Sequence, residues 1–185
     1  MLKLVILITG LPGSGKSTAA EFIKKNFNAA VFHSGDVIRD EIKRRGLKYT
    51  PETDAFFAHW FHIGGRERLI ANRTWDKVKK SKKKIAVIEG FRSSETLYHF
   101  KRASKTRLIV IFIKASFKVR VKREIKRKRF GKAETIDYLR SRERLEKDHG
   151  ILKLIKKADF VVDNSNLTKK QTEKRIVELM KRILQ

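Results

Sequence analysis

A lysine and a hydroxyl set directly behind a run of glycines are well equipped to handle phosphate. Residues 10–17 supply both, as Gly10-Leu11-Pro12-Gly13-Ser14-Gly15-Lys16-Ser17, in the spacing G-x-x-x-x-G-K-[ST]. The glycines let the backbone fold into a nest whose N–H groups converge on phosphate oxygens, and a helix that starts there adds the positive end of its dipole. Lys16 is expected to reach the β and γ phosphates as a mobile charge with a catalytic role, and the Ser17 hydroxyl is placed to ligate Mg²⁺. The expected cofactors are therefore ATP and Mg²⁺, held by Gly10, Leu11, Pro12, Gly13, Ser14, Gly15, Lys16, Ser17 and Thr18. A glycine-rich turn before a helix is the plainer alternative. The apolar run Leu4 to Ile8 in front and the helical spacing of Thr18 to Lys25 behind favour the phosphate loop.

Three further groups of residues carry candidate chemistry. His33-Ser34-Gly35-Asp36-Val37-Ile38-Arg39 follows a second apolar run, where an open parallel sheet gathers its ligands. Asp36 could take a proton from an attacking hydroxyl or hold a Mg²⁺-bound water, and Arg39 could clamp an acceptor phosphate bidentately; Asp36 serves equally well as a helix cap. A third apolar run ends in Glu89-Gly90-Phe91-Arg92, which makes Glu89 the candidate Mg²⁺-side carboxylate and Arg92 a candidate for the acceptor's anion.

In the stretch around 118–129, Phe117, Val121 and Ile125 fall four apart on one helical face and are expected to pack. Arg120, Arg123 and Arg127 fall on another, expected to be a basic stripe that swings over the nucleotide. Arg123 and Arg127 are the first candidates to stabilise transferring charge, with Arg142 next and Arg140 and Arg144 beside it. His33, His59, His62, His99 and His149 show no metal-ligand spacing, so no zinc is expected. The aromatics Phe56, Phe57, Trp60 and Phe61 read as core or a helix interface rather than a base-stacking platform.

The elements that must position these groups follow from periodicity. Strands are expected at Leu4 to Ile8, Ala29 to Phe32, Ile85 to Ile88, Leu108 to Ile113 and Phe160 to Val162. Helices are expected over 36–46, 53–63, 66–80, 117–129, 134–148 and 168–184, the last opened by Thr168 and Gln171 in capping-box spacing. This alternation predicts an α/β fold, three layers around a parallel sheet, in one domain spanning 1–185, with Gly131 as the likeliest break.

At 185 residues the chain can bury a real core, and it holds no cysteine for a disulfide or thiolate metal site. No stretch approaches the ~20 apolar residues of a membrane span, so a cytoplasmic protein without a membrane partner is expected. The net charge of +26, densest in KSKKK at 80–84 and KVRVKREIKRKR at 118–129, either serves nucleic acid or adapts the surface. The scatter of the basic residues and the lack of a nucleic-acid module favour the surface.

Taken together, the phosphate loop, Ser34-Gly35-Asp36-Val37-Ile38-Arg39, Glu89-Gly90-Phe91-Arg92 and the pair Arg123 and Arg127 resemble the nucleoside monophosphate kinases, adenylate kinase in particular. The segment Ala158-Asp159-Phe160-Val161-Val162-Asp163-Asn164 is similar to dephospho-CoA kinase, and nearly the full length resembles an archaeal family of adenylate-kinase-related P-loop proteins. The resemblance implies a five-stranded parallel P-loop sheet, a helical acceptor-binding region at about 36–80, a lid at about 117–147, and Asn164 near the adenine. It implies transfer of the γ-phosphoryl of ATP to a small nucleotide-like acceptor. Dephospho-CoA phosphorylation is the alternative within enzymes, and a nucleic-acid-associated ATPase the alternative of another class.

Overall fold

The computed structural model describes residues 2–127 and 132–185; Gly131, the expected break, lies outside them. Five strands form one parallel sheet in the order β2-β3-β1-β4-β5: β1 (Leu4–Thr9), β2 (Ala30–His33), β3 (Ile85–Glu89), β4 (Leu108–Lys114) and β5 (Phe160–Asp163). β1 is central and buried along its whole length, as a strand covered on both faces must be. Its side chains alternate between two cores. Leu4, Ile6 and Ile8 meet Ala19, Ala20 and Ile23 of α1 (Lys16–Phe27) and Ile176, Met180 and Ile183 of α9 (Lys169–Leu184). Val5 and Leu7 belong to the opposite core, with apolar residues from α2 (Gly35–Arg44), α3 (Pro51–His62), α4 (Glu67–Val78), α5 (Ser94–Ser104) and α8 (Ile151–Lys156). The three-layer α/β fold expected from the sequence is thus the fold of the protein.

The register brings the chemistry together. Ile8 pairs with Glu89, His33 pairs with Glu89 from the other side, and Thr9 pairs with Phe112. The carboxyl ends of β1, β2 and β3 therefore release the phosphate loop, Asp36 and Glu89 at one edge of the sheet.

Two helices escaped the periodicity. In α5 the buried face is Thr96, Leu97, Phe100 and Ser104, half of it polar, so the apolar signal is thin; α8 has only six residues. A correction falls on α6 (Phe117–Lys126). The stripe expected to pack, Phe117, Val121 and Ile125, is only half-buried, whereas Arg120 and Glu124 are buried. α6 lies against the phosphate loop and α7 (Lys132–Asp148), where carbonyl oxygens and Glu143 satisfy a buried guanidinium. Lys118, Lys122 and Lys126 of α6 and the lysines at 82–84 are exposed. Among the described residues no helix is long and apolar enough to cross a membrane.

Candidate active site

The phosphate loop leaves β1 at Thr9, whose buried hydroxyl donates to the Phe91 carbonyl at 2.7 Å and ties the loop root to the segment after β3. Gly10 is required there: its φ is +142°, and a Cβ would stand 2.2 Å from the Ile113 carbonyl oxygen of β4. Gly15, at φ +103°, has the Asn164 side-chain amide where a Cβ would point. The loop carbonyls face outward onto donors. Pro12 O accepts from Arg120 Nη1 at 3.2 Å, and Ser14 O accepts from Asn164 Nδ2 at 2.8 Å and from Arg123 Nη1 at 3.2 Å. Leu11 O accepts from Lys16 Nζ at 3.0 Å. Ser14 Oγ is buried and has no hydrogen-bond partner.

Ser17, in the first turn of α1, donates its hydroxyl to Glu89 Oε1 at 2.8 Å. The second carboxylate oxygen of Glu89 is buried without a hydrogen bond, 3.2 Å from His33 Nδ1. A hydroxyl and a carboxylate with a free oxygen are hard donors of the kind Mg²⁺ takes, so this pair fits the ion. Burial pushes the Lys16 ammonium below its ordinary value; Arg92 and Arg127 act in the same direction, while Glu146 and Glu89 oppose.

A cavity of about 280 Å³ runs from this loop to the helices over it. Gly13, Gly15, Lys16, Ser17 and Glu89 line it. Arg39, Tyr49, Asp54 and Arg92 line it as well, together with Arg127 at the C-cap of α6 and Arg142 and Glu146 of α7. Two of these cations are loosely held. Arg142, nearly fully buried, has Nη1 3.8 Å from Asp54 Oδ2 and Nη2 3.9 Å from Glu146 Oε1, and its Nε has no partner. Arg92 Nε lies 3.3 Å from Glu146 Oε1, while its buried Nη1 and Glu146 Oε2 are also unpartnered.

Several residues singled out by sequence lie elsewhere. Asp36 does not line the cavity; it sits in the first turn of α2, behind Ser34 at the N-cap, and its carboxylate pairs with Arg39. Arg123 points back, donating to Ser14 O and at 2.9 Å to Asn164 O. Asn164 is buried beneath the loop and accepts from the Thr172 hydroxyl at 2.8 Å. Arg127, Arg92, Arg39 and Arg142 do reach the cavity, Arg127 while paired with Glu124 at 2.6 Å.

Sequence reasoning missed Tyr49, in the segment between α2 and α3, and also Asp54 and Glu146, because a carboxylate on a helix is indistinguishable from a solvated one until its face is known. It also missed a stack of imidazoles. His149 lies 4.2 Å from His62 and 5.8 Å from His59, ring to ring, bridging α3 and the α7–α8 turn. Burial first, then the neighbouring imidazoles and the guanidinium groups of Arg92 and Arg142, lower His62 to about 3 and His149 to about 4. Among the described residues no group of side chains is disposed to hold a metal by such ligands.

A phosphate loop on the central strand, a Ser17–Glu89 pair beside it and helices closing over the strand ends define a P-loop NTPase domain of kinase-like fold. Residues 9–141 match the profile of an AAA domain. The chain is 31% identical over 162 residues to the UPF0200 protein of Hyperthermus butylicus, covering 88% of this chain and 86% of that one. It is 32% identical over 188 residues to the UPF0200 protein of Pyrococcus horikoshii, covering 98% of each. The chain belongs to the UPF0200 family. Its fold is also that of shikimate kinase from Acinetobacter baumannii, solved in complex with shikimate, at a TM-score of 0.56 and 14% identity over 100% of this chain and 94% of that one. A P-loop domain implies nucleotide binding, typically with Mg²⁺.

Proposed function

We propose that the protein is a Mg²⁺-dependent kinase that transfers the γ-phosphoryl group of ATP to a small, nucleotide-like acceptor carrying its own anionic group. One observation carries this reading: a single cavity is lined by Lys16, Ser17 and Glu89 and also by arginines with unpartnered buried nitrogens, Arg92 and Arg142. A nucleotide-hydrolysing switch needs the first group alone. Bound Mg²⁺ would supply charge neutralisation between phosphates, held by Ser17 and Glu89.

The chain's own residues do the rest. The loop orients the donor phosphates, Lys16 brings a charge to the transferred group, and Arg127 adds a second from α6. Arg39, Arg92 and Arg142 clamp the acceptor, and Asp36 acts through Arg39, fixing its guanidinium from outside the cavity. Arg123 and Asn164 hold the loop rather than touch the transferred group. Asp54, the carboxylate in the acceptor wall, is the candidate to orient an attacking hydroxyl or a sugar.

ADP release from MgATP at ~150 mM salt, with a panel of acceptors, tests the reading. Nucleoside monophosphates should raise turnover well above the ATP-only rate. A response to dephospho-CoA alone would move the acceptor to a ribose hydroxyl, and a response only to RNA or DNA would replace the small-molecule kinase with a nucleic-acid-dependent ATPase.

A further inference from the structure

We infer that Arg120, backed by Glu143, is a positioning residue that presets the phosphate cradle and joins it to the acceptor side of the cavity. The inference rests on the reading of residues 10–17 as the nucleotide-binding loop. Arg120 ranks first by size among the fully buried side chains of the described residues, at 2% exposed. Its guanidinium is spent on three partners: Nε donates to Ala115 O at 3.2 Å, Nη1 to Pro12 O at 3.2 Å, and Nη2 to Glu143 Oε2. The other carboxylate oxygen of Glu143 takes Lys147 Nζ at 2.7 Å. Gly13 rests on the same helical turn, since a Cβ there would stand 3.0 Å from Arg120 O and 3.1 Å from Arg120 Cβ.

Peptide planarity turns these contacts into a statement about the cradle. A trans peptide points its C=O and N–H in opposite directions. Holding the Pro12 carbonyl on Arg120 turns the Gly13 N–H away from α6, and Gly13 lines the cavity. The same holds one step on: Arg123 and Asn164 hold the Ser14 carbonyl, which turns the Gly15 N–H away from them. Preorganised N–H groups are what make such a nest bind anions without reorganising.

Packing alone does not explain this arginine. An apolar side chain of similar volume would fill the space without desolvating a charge, whereas only a planar, multi-donor group can grip a carbonyl and a carboxylate at once. The grip has a second end. Glu143 follows Arg142 on α7, and Arg142 faces the cavity. One side chain therefore links the placement of an acceptor-wall helix to the peptide planes of the phosphate loop.

Titration calorimetry with MgADP, thermal melting, and the amide shifts and exchange rates of Gly13 and Gly15 test this in wild type, Arg120→Lys, Arg120→Met, Glu143→Gln and Lys16→Ala. In the folded Arg120 variants MgADP should bind about tenfold more weakly, with the Gly13 amide perturbed beyond its neighbours. A merely structural role would lower the melting temperature and leave the affinity of the folded protein alone. A folded Arg120→Lys or Arg120→Met that binds MgADP within about twofold of wild type, with an unshifted Gly13 amide, overturns the inference. Should neither variant fold, Glu143→Gln decides: a loss of about threefold supports it, and unchanged affinity overturns it. Wild type that binds no MgADP overturns this inference and the loop reading together. Binding that Lys16→Ala abolishes and the Arg120 variants spare sinks this inference alone.

Discussion

Lys16 is the residue on which nucleotide handling rests most directly. Lys16→Ala should remove MgATP turnover and most MgADP affinity while leaving the melting temperature close to wild type, because the ammonium's hydrogen bond is to a carbonyl of the loop itself. Near wild-type turnover would refute the assignment. The burial that lowers its pKa carries a sign: the ammonium gives up its proton below the ordinary 10.5, so MgADP affinity should decline as pH rises toward that value, and the decline should vanish in Lys16→Ala. Gly10 makes the opposite kind of demand. A methyl group at 2.2 Å from a backbone oxygen, on a φ that only glycine adopts freely, should cost Gly10→Ala about 3 kcal/mol in urea unfolding. That the glycines, Lys16, Ser17 and Glu89 meet in one cavity was legible because a phosphate loop is written mainly in backbone and spacing. Asp54 and Glu146 were not, since their burial depends on which face α3 and α7 turn inward.

At the level of elements, α2 and α4 are fastened by two carboxylates, Asp40, which accepts from Lys77 at 2.7 Å near the surface, and the buried Glu41. Glu41, 1% exposed, accepts from Arg44, Arg45 and, across to α4, from Arg73 at 2.9 Å. Its arginine partners hold it far below the usual carboxylate range. The partners are partly solvated, which discounts the sum, and Glu41→Gln should cost about 2 kcal/mol in unfolding free energy. A change below about 0.5 kcal/mol would mean that apolar packing and the exposed Asp40–Lys77 pair hold α2 on α4 without it. For α6, Arg127→Ala should lower kcat more than it raises the KM for ATP, whereas Lys126→Ala, exposed on the outer face, should do neither. Equal losses would leave only general positive charge. The helical periodicity of α6 was readable, but its inward face was not: sequence rules send apolar residues inward, and here the loop's carbonyls and Glu143 drew Arg120 in instead. α5 and α8 stayed hidden for simpler reasons, a half-polar buried face in one and six residues in the other.

For the whole molecule, acid is the revealing perturbation. His62 and His149 are held neutral, with pKa values of about 3 and 4 against an ordinary 6.5, so below 6.5 the unfolded chain binds protons that the folded chain refuses. Their contribution to stability is complete above that pH and is lost as pH falls through the folded values. Glu41, depressed in the same direction, adds stability above its ordinary 4.5 that is lost in more acid solution. The melting temperature should therefore drop steeply from pH 7 to pH 4.5, and less steeply in His149→Phe; parallel curves would show that the imidazole stack is not responsible. If the exposed lysines are surface adaptation, random RNA should bind weakly, release as salt approaches ~150 mM and leave ATP turnover unchanged. The same surface has a consequence in time rather than in equilibrium. An anionic nucleotide entering the field of a +26 molecule is captured by long-range attraction before it meets any hydrogen bond. Its association rate should fall severalfold as ionic strength rises, while its residence time, set by the loop and the cavity walls, stays nearly constant.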